Sequence, residues 1–165
     1  ISNHDNLRYI AERFEIPFEV LPITKDTKAE QEQKQIELLN SLDVDFIVLA
    51  RYMRILSEEF IAHYPNRIIN IHHSFLPAFP GARPYQSAHM RGVKIIGATA
   101  HYVTAELDEG PIIEQDVKRV NHAEQPGELE RLGQDVESTV LARAVRWHAQ
   151  HRVFEHDSRT IIMRH

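Results

Sequence analysis

Two short apolar runs, residues 46–50 (Phe-Ile-Val-Leu-Ala) and 68–71 (Ile-Ile-Asn-Ile), flank a segment of helical composition, and this arrangement limits what the chain can fold into. A brief continuous apolar run is what a parallel strand covered on both faces requires, and two parallel strands need a crossover, usually a helix. Residues 57–64 supply that crossover. Its start is an imperfect capping box, because Glu59 stands two residues after Ser57 rather than three. Upstream, Asp5 or Asn6 can cap a helix through residue 14 with Leu7, Ile10, Ala11 and Phe14 at helical spacing, and residues 18–21 suit a short strand. Residues 28–42 favour a second helix, with Ile36, Leu38, Leu39 and Leu42 as its buried stripe. Two β-rich runs, 95–103 and 112–120, share a short connection and predict an antiparallel extension. Gln125-Pro126-Gly127 then opens a long helix to about residue 151, with a last strand at 152–154 or near 160–163. Strands alternating with helices predict an α/β fold, a doubly wound and mostly parallel sheet of Rossmann-like type.

A chain of 165 residues with 42% hydrophobic content can bury one good core, so a single domain spanning 1–165 is expected. Its net charge of −5 argues against a nucleic-acid surface, which needs clustered Lys and Arg, and points to a small-molecule partner. With no cysteine there are no disulfides, catalytic thiols or thiolate metal sites, which suits a cytoplasmic protein. No apolar run approaches the roughly 20 residues needed to span a bilayer. No secretory signal is visible.

The chemistry concentrates where the second apolar run ends, in Asn70-Ile71-His72-His73-Ser74-Phe75-Leu76-Pro77. Side chains alternate along a strand, so Asn70 and His72 project from the same face, a hydrogen-bond donor beside a titratable imidazole. A Pro/Gly loop, residues 79–84, follows at the strand's carboxyl end, where open α/β sheets place their ligands. Further on, the β-rich run Thr99-Ala100-His101-Tyr102-Val103 enters an acidic loop closed by Gly110-Pro111, and Asp108 in that loop could orient His72. By alternation His73 faces away from His72, and reads as structural or loop-lining. Ser74 could hold water or substrate, but no Gly-x-Ser-x-Gly elbow makes it a nucleophile. His101 is either a core residue or a support behind the site. Arg54, directly after an apolar run, suits a paired or cleft-lining role. Among the eleven histidines, His148 and His151 stand three apart on a helix but lack further ligands at a metal-binding spacing, so no metal is expected. The glycines form neither a dinucleotide fingerprint nor a Walker loop.

Asn70, His72 and Asp108, in the order N-x-H and then a D-x-G loop after a strand, resemble the Asn/His/Asp set of the formyltetrahydrofolate-using formyltransferase family. Within it, the chain is most similar to the formyltetrahydrofolate deformylases. The similarity rests on Asp26-Thr27-Lys28-Ala29-Glu30, Ala50-Arg51-Tyr52-Met53-Arg54-Ile55-Leu56, the double histidine before Ser74, Glu109-Gly110-Pro111-Ile112-Ile113-Glu114-Gln115-Asp116 and residues 131–137. It covers nearly the whole chain. The resemblance implies a formyltransferase fold and hydrolysis of 10-formyltetrahydrofolate to formate and tetrahydrofolate, supplying formate for purine synthesis and one-carbon balance. Asn70 and protonated His72 would donate to the developing oxyanion while Asp108 keeps His72 cationic and positions the water. It also implies a pterin pocket walled by Met53, Arg54, Leu56 and Ile61, with backbone bonds from Thr104, Ala105, Glu106 and Leu107. No cofactor beyond the folate and no metal is implied, and the expected partners are the folate and other copies of the chain, with no nucleic acid and no membrane. In the same family a first strand with its phosphate-binding loop and a regulatory ACT-type domain precede these motifs, so the chain is expected to be an amino-terminally truncated catalytic domain. A ribonucleotide-using formyltransferase would need that phosphate loop, which favours hydrolysis over glycinamide ribonucleotide or methionyl-tRNA formyl transfer. A folate-binding domain without activity is the alternative of another class.

Overall fold

The computed structural model describes residues 1–24, 26–76 and 84–163. These divide into two compact units, one of residues 1–45 and 56–63, the other of residues 46–55 and 64–165. The first unit holds α1 (Arg8–Arg13), α2 (Lys28–Ser41) and α3 (Glu58–His63). In α1 the predicted apolar stripe is not buried, and Leu7 and Phe14 are exposed. Asp5 does not cap this helix, because its carboxylate is held by Arg8 Nε at 2.6 Å. The strand expected at 18–21 is reduced to one parallel bridge between Ser2 and Val20. Along α2, Ile36 is buried as predicted, but Glu32 and Gln35 replace Leu42 on the buried side. Glu32 is used there, since its Oε2 accepts the Ser57 N–H at 3.3 Å and its Oε1 lies 3.7 Å from Lys28 Nζ. Despite the imperfect capping box, Ser57 Oγ accepts the Phe60 N–H at 3.1 Å and starts α3.

The second unit is built on a sheet of β1 (Ile47–Leu49), β2 (Ile68–His72), β3 (Ile95–Tyr102) and β4 (Ile112–Arg119), in that order. α4 (Pro84–Arg91) precedes β3, and α5 (Pro126–Ala149) follows β4. The fold is mixed α/β, with β1 and β2 parallel and β3 and β4 forming the predicted antiparallel extension. β1 is an edge strand of this sheet and Val48 is 38% exposed, so it is not covered on both faces as its apolar composition suggested. Pro126 occupies the first turn of α5, where its missing N–H costs nothing. The two tail segments are both strands, β5 (Val153–His156) and β6 (Arg159–Ile162), paired as a hairpin.

The core explains which face of the sheet is left for chemistry. Ile69, Ala98, Ala100, Tyr102 and Ile113 pack with Val140 and Ala144 of α5, so alternate residues of β2 and β3 are spent on the helix. Small side chains on β3 let α5 approach closely. The register places Asn70 opposite His101, His72 opposite Thr99, and Thr99 opposite Gln115. Those residues therefore share the other face. A register shift between Ala100 and His101 keeps the pairing aligned while Ile113 joins the core.

Candidate active site

Asn70 and His72 occupy the end of β2 and, as the alternation predicts, share a face. His101 belongs with them. Its Nδ1 lies 2.9 Å from the Tyr102 carbonyl oxygen, which can only accept, so Nδ1 carries the proton. Burial pushes the His101 pKa down, against weaker opposing effects of the Tyr102 carbonyl and Asp108, so the ring is neutral near pH 7. Nε2 is then the acceptor, and Asn70 Nδ2 donates to it at 3.2 Å. Thus His101 orients the Asn70 carboxamide.

Asp108 reaches the pair from the loop after β3. Its carboxylate oxygens lie 3.4 Å from His72 Nδ1 and 3.6 Å from His101 Nε2. The second distance is too long for a hydrogen bond, and His101 Nε2 has no proton to offer. The working contact is with His72. Asp108 adopts φ 58°, a left-handed conformation that Asp tolerates better than most residues and that active sites often contain. The loop is drawn tight by Val103 N–H donating to Ile68 O and Tyr102 N–H donating to Pro111 O, both at 2.9 Å. Gly110 is obligatory, because a Cβ there would lie 1.8 Å from the Tyr102 carbonyl oxygen.

The charge state of His72 differs from the sequence expectation. Burial lowers its pKa, and the neighbouring His73 and His101 act in the same direction; Asp108 raises it but does not prevail. In the resting site His72 is neutral at pH 7, with Nδ1–H toward Asp108 and the lone pair on Nε2. His73 also departs from the alternation. β2 ends at His72 and the chain bends, so the two imidazoles stack with centroids 4.9 Å apart and planes inclined by 17°.

The remaining predicted residues are more dispersed. Ser74 Oγ is buried and has no hydrogen-bond partner among the described residues. Met53 is 71% exposed and Arg54 half-buried in the unit that carries the sheet, whereas Leu56 and Ile61 belong to the other unit. Leu56 is buried, so its replacement would disturb packing before it tested any ligand. In the Asp108 loop, Leu107 and Ala105 are exposed and Thr104 is half-buried. The Glu106 carbonyl already accepts from Thr104 Oγ1 at 3.1 Å and from Glu109 N at 3.4 Å. The Pro/Gly loop at 79–84 lies outside the described residues up to Pro84, where α4 begins. His148 is engaged by the Tyr102 hydroxyl, hydrogen-bonded to its Nδ1 at 2.7 Å, and by an edge-on contact with the Phe46 ring. Among the described residues no group of three or more His, Cys, Asp or Glu side chains is arranged to hold a metal. No helix among them is long and apolar enough to cross a membrane.

Sequence reasoning passed over Thr99 and Gln115. Thr99 is fully buried two residues before His101, so the same alternation that marks His101 would have placed it on the site face.

The sequence profile of the Formyl transferase family matches residues 1–145. The chain belongs to this family. A formyltetrahydrofolate deformylase of Bacillus subtilis is 58% identical over 98% of the chain and 54% of its own length, and one from Synechocystis is 59% identical over 98% and 57%. Among solved structures, a formyltetrahydrofolate deformylase from Burkholderia mallei superposes with a TM-score of 0.93 at 49% identity, covering 99% of this chain and 59% of that one. A glycinamide ribonucleotide transformylase from Symbiobacterium toebii gives 0.83 at 34%, covering 93% and 73%. The chain spans little more than half the length of the deformylases it matches.

Proposed function

We propose that this chain is the catalytic domain of a formyltetrahydrofolate deformylase and hydrolyses 10-formyltetrahydrofolate to formate and tetrahydrofolate. The observation that carries this reading is the convergence of Asn70, His72 and Asp108 at one end of β2, with His72 Nδ1 3.4 Å from Asp108. Neutral His72 takes a proton from water at Nε2 while the water oxygen adds to the formyl carbon. The resulting imidazolium is paired with Asp108, and the Asn70 N–H not given to His101 donates to the oxyanion. Collapse breaks the carbon–nitrogen bond, N10 takes the proton back from His72, and formic acid loses its proton to solvent. A positioned general base contributes about 10²–10⁴ in rate and an oxyanion donor about 10²–10³.

Met53 and Leu107 are both exposed on the sheet-bearing unit, to which Arg54 also belongs, and an exposed apolar side chain is what a planar pterin would cover. Thr104, Ala105 and Leu107 retain the backbone role proposed for them, while the Glu106 carbonyl is occupied within its own turn. Identity of 58–59% to deformylases, against 34% to a glycinamide ribonucleotide enzyme, favours water over an amine as acceptor. Incubation with 10-formyltetrahydrofolate alone should release formate. Formyl transfer to glycinamide ribonucleotide without formate release would make it a transferase, and folate binding without turnover would make it a binding domain.

A further inference from the structure

The stretch between His72 and Pro77 is held by a polar cluster with no assigned role. Thr99 Oγ1 donates to the Ser74 carbonyl at 2.9 Å and accepts the Leu76 N–H at 3.0 Å and Gln115 Nε2 at 2.9 Å. One donor and two lone pairs are all that a hydroxyl has, so this one is saturated. Gln115 Nε2 spends its second hydrogen on the Leu76 carbonyl at 3.0 Å. Residues 74–76 are thus tied at Ser74 O, Leu76 N and Leu76 O to two side chains in adjacent strands. Those side chains form one row with the proposed base, His72 lying opposite Thr99 and Thr99 opposite Gln115. Gly97 completes the seat, because a Cβ there would come within 3.2 Å of Phe75 Cβ and 2.7 Å of Asp116 O.

We propose that Thr99 and Gln115 are positioning residues for hydrolysis, a clamp that fixes the strand end carrying His72 and, two residues beyond it, the Ser74 hydroxyl, which has no hydrogen-bond partner among the described residues. Thr99 is fully buried, and a β-sheet does not need a hydroxyl there; Val would pair as well and pack in the same volume. The bonds go instead to a segment with no strand partner of its own. A polar network this complete restricts the backbone it binds, and misplacing a reacting group by about 1 Å can cost 10²-fold in rate.

The proposal rests on the hydrolytic reading, and the test separates the two. Thr99→Val and Gln115→Leu should lower kcat for formate release about tenfold to 10²-fold with KM within about threefold, while Thr99→Ser stays near the parent rate. In the same proteins the Leu76 amide proton should exchange at least about tenfold faster in the Val and Leu variants and not in the Ser variant. Gln115 is only half-buried, so its variant reports even where Thr99→Val folds poorly. Unchanged kcat in a folded Gln115→Leu protein, or an equal loss in Thr99→Ser and Thr99→Val, would overturn the clamp. If the parent chain releases no formate, the hydrolytic reading fails; the amide exchange then still decides the clamp, unchanged exchange sinking it and faster exchange supporting it.

Discussion

His72 is set between two opposing influences, and the balance determines how its role can be tested. Burial drives its pKa below the ordinary value of 6.5, with His73 and His101 adding to that, while Asp108 pulls it up. A neutral base is therefore ready at pH 7, and its loss on acidification should place the ascending limb of the kcat/KM profile below 6.5. Asp108→Asn removes the group that raises the pKa, so this limb should move to still lower pH. The same change leaves the imidazolium unpaired during the reaction, and the plateau rate should fall by about 10²–10⁴. A pH–rate profile of formate release measures both, and an unmoved limb with an undiminished plateau would remove Asp108 from the mechanism. Asn70→Ala should cost about 10²-fold in kcat, since it deletes the oxyanion donor that His101 orients.

At the scale of elements, the turn after β3 matters more than its composition suggests. Asp108 sits in a left-handed conformation, the loop is closed by two backbone bonds, and Gly110 lies where no side chain fits. Gly110→Ala should push the loop away from Tyr102 and carry Asp108 off His72, lowering kcat by about 10²-fold even though no reacting group is altered. Gly127 provides the contrast, because a Cβ there meets nothing within 4 Å. Gly127→Ala in the first turn of α5 should raise stability by about 0.5–1 kcal/mol in denaturant unfolding with activity intact. Equal behaviour of the two variants would mean that close approach at Gly110 is not what holds the loop. A sequence reader sees Gly-Pro after an acidic run and infers a turn; that Gly110 touches the Tyr102 carbonyl depends on where β3 ends and β4 begins.

Across the whole molecule, one buried and two partly buried histidines titrate in the same sense. His72, His101 and His148 all have pKa values lowered chiefly by burial. An unfolded chain binds protons at these residues near pH 6.5, whereas the folded chain does so only further into acid. Their contribution to stability is fully present above 6.5 and is lost as pH falls from there through the lowered values. Thermal midpoints measured from pH 8 to 5 should hold level above neutrality and fall below about 6.5, and replacing His148, which lies outside the proposed site, should flatten part of that fall. A midpoint constant to pH 5 would refute it. Much of this molecule was legible beforehand for a local reason. Alternation along residues 68–72 puts Asn70 and His72 on one face wherever the strand lies, and the strand–helix order demands an α/β sheet. What the chain could not declare is which apolar residues are buried. Leu7, Phe14 and Leu42 keep helical spacing yet stay exposed, while Glu32 and Gln35 are buried, because burial depends on the partner surface and not on the pattern alone. The neutral state of His72 and the saturation of Thr99 likewise arise only when β2, β3 and β4 come together. Each depends on groups distant in sequence whose separation only the folded sheet sets.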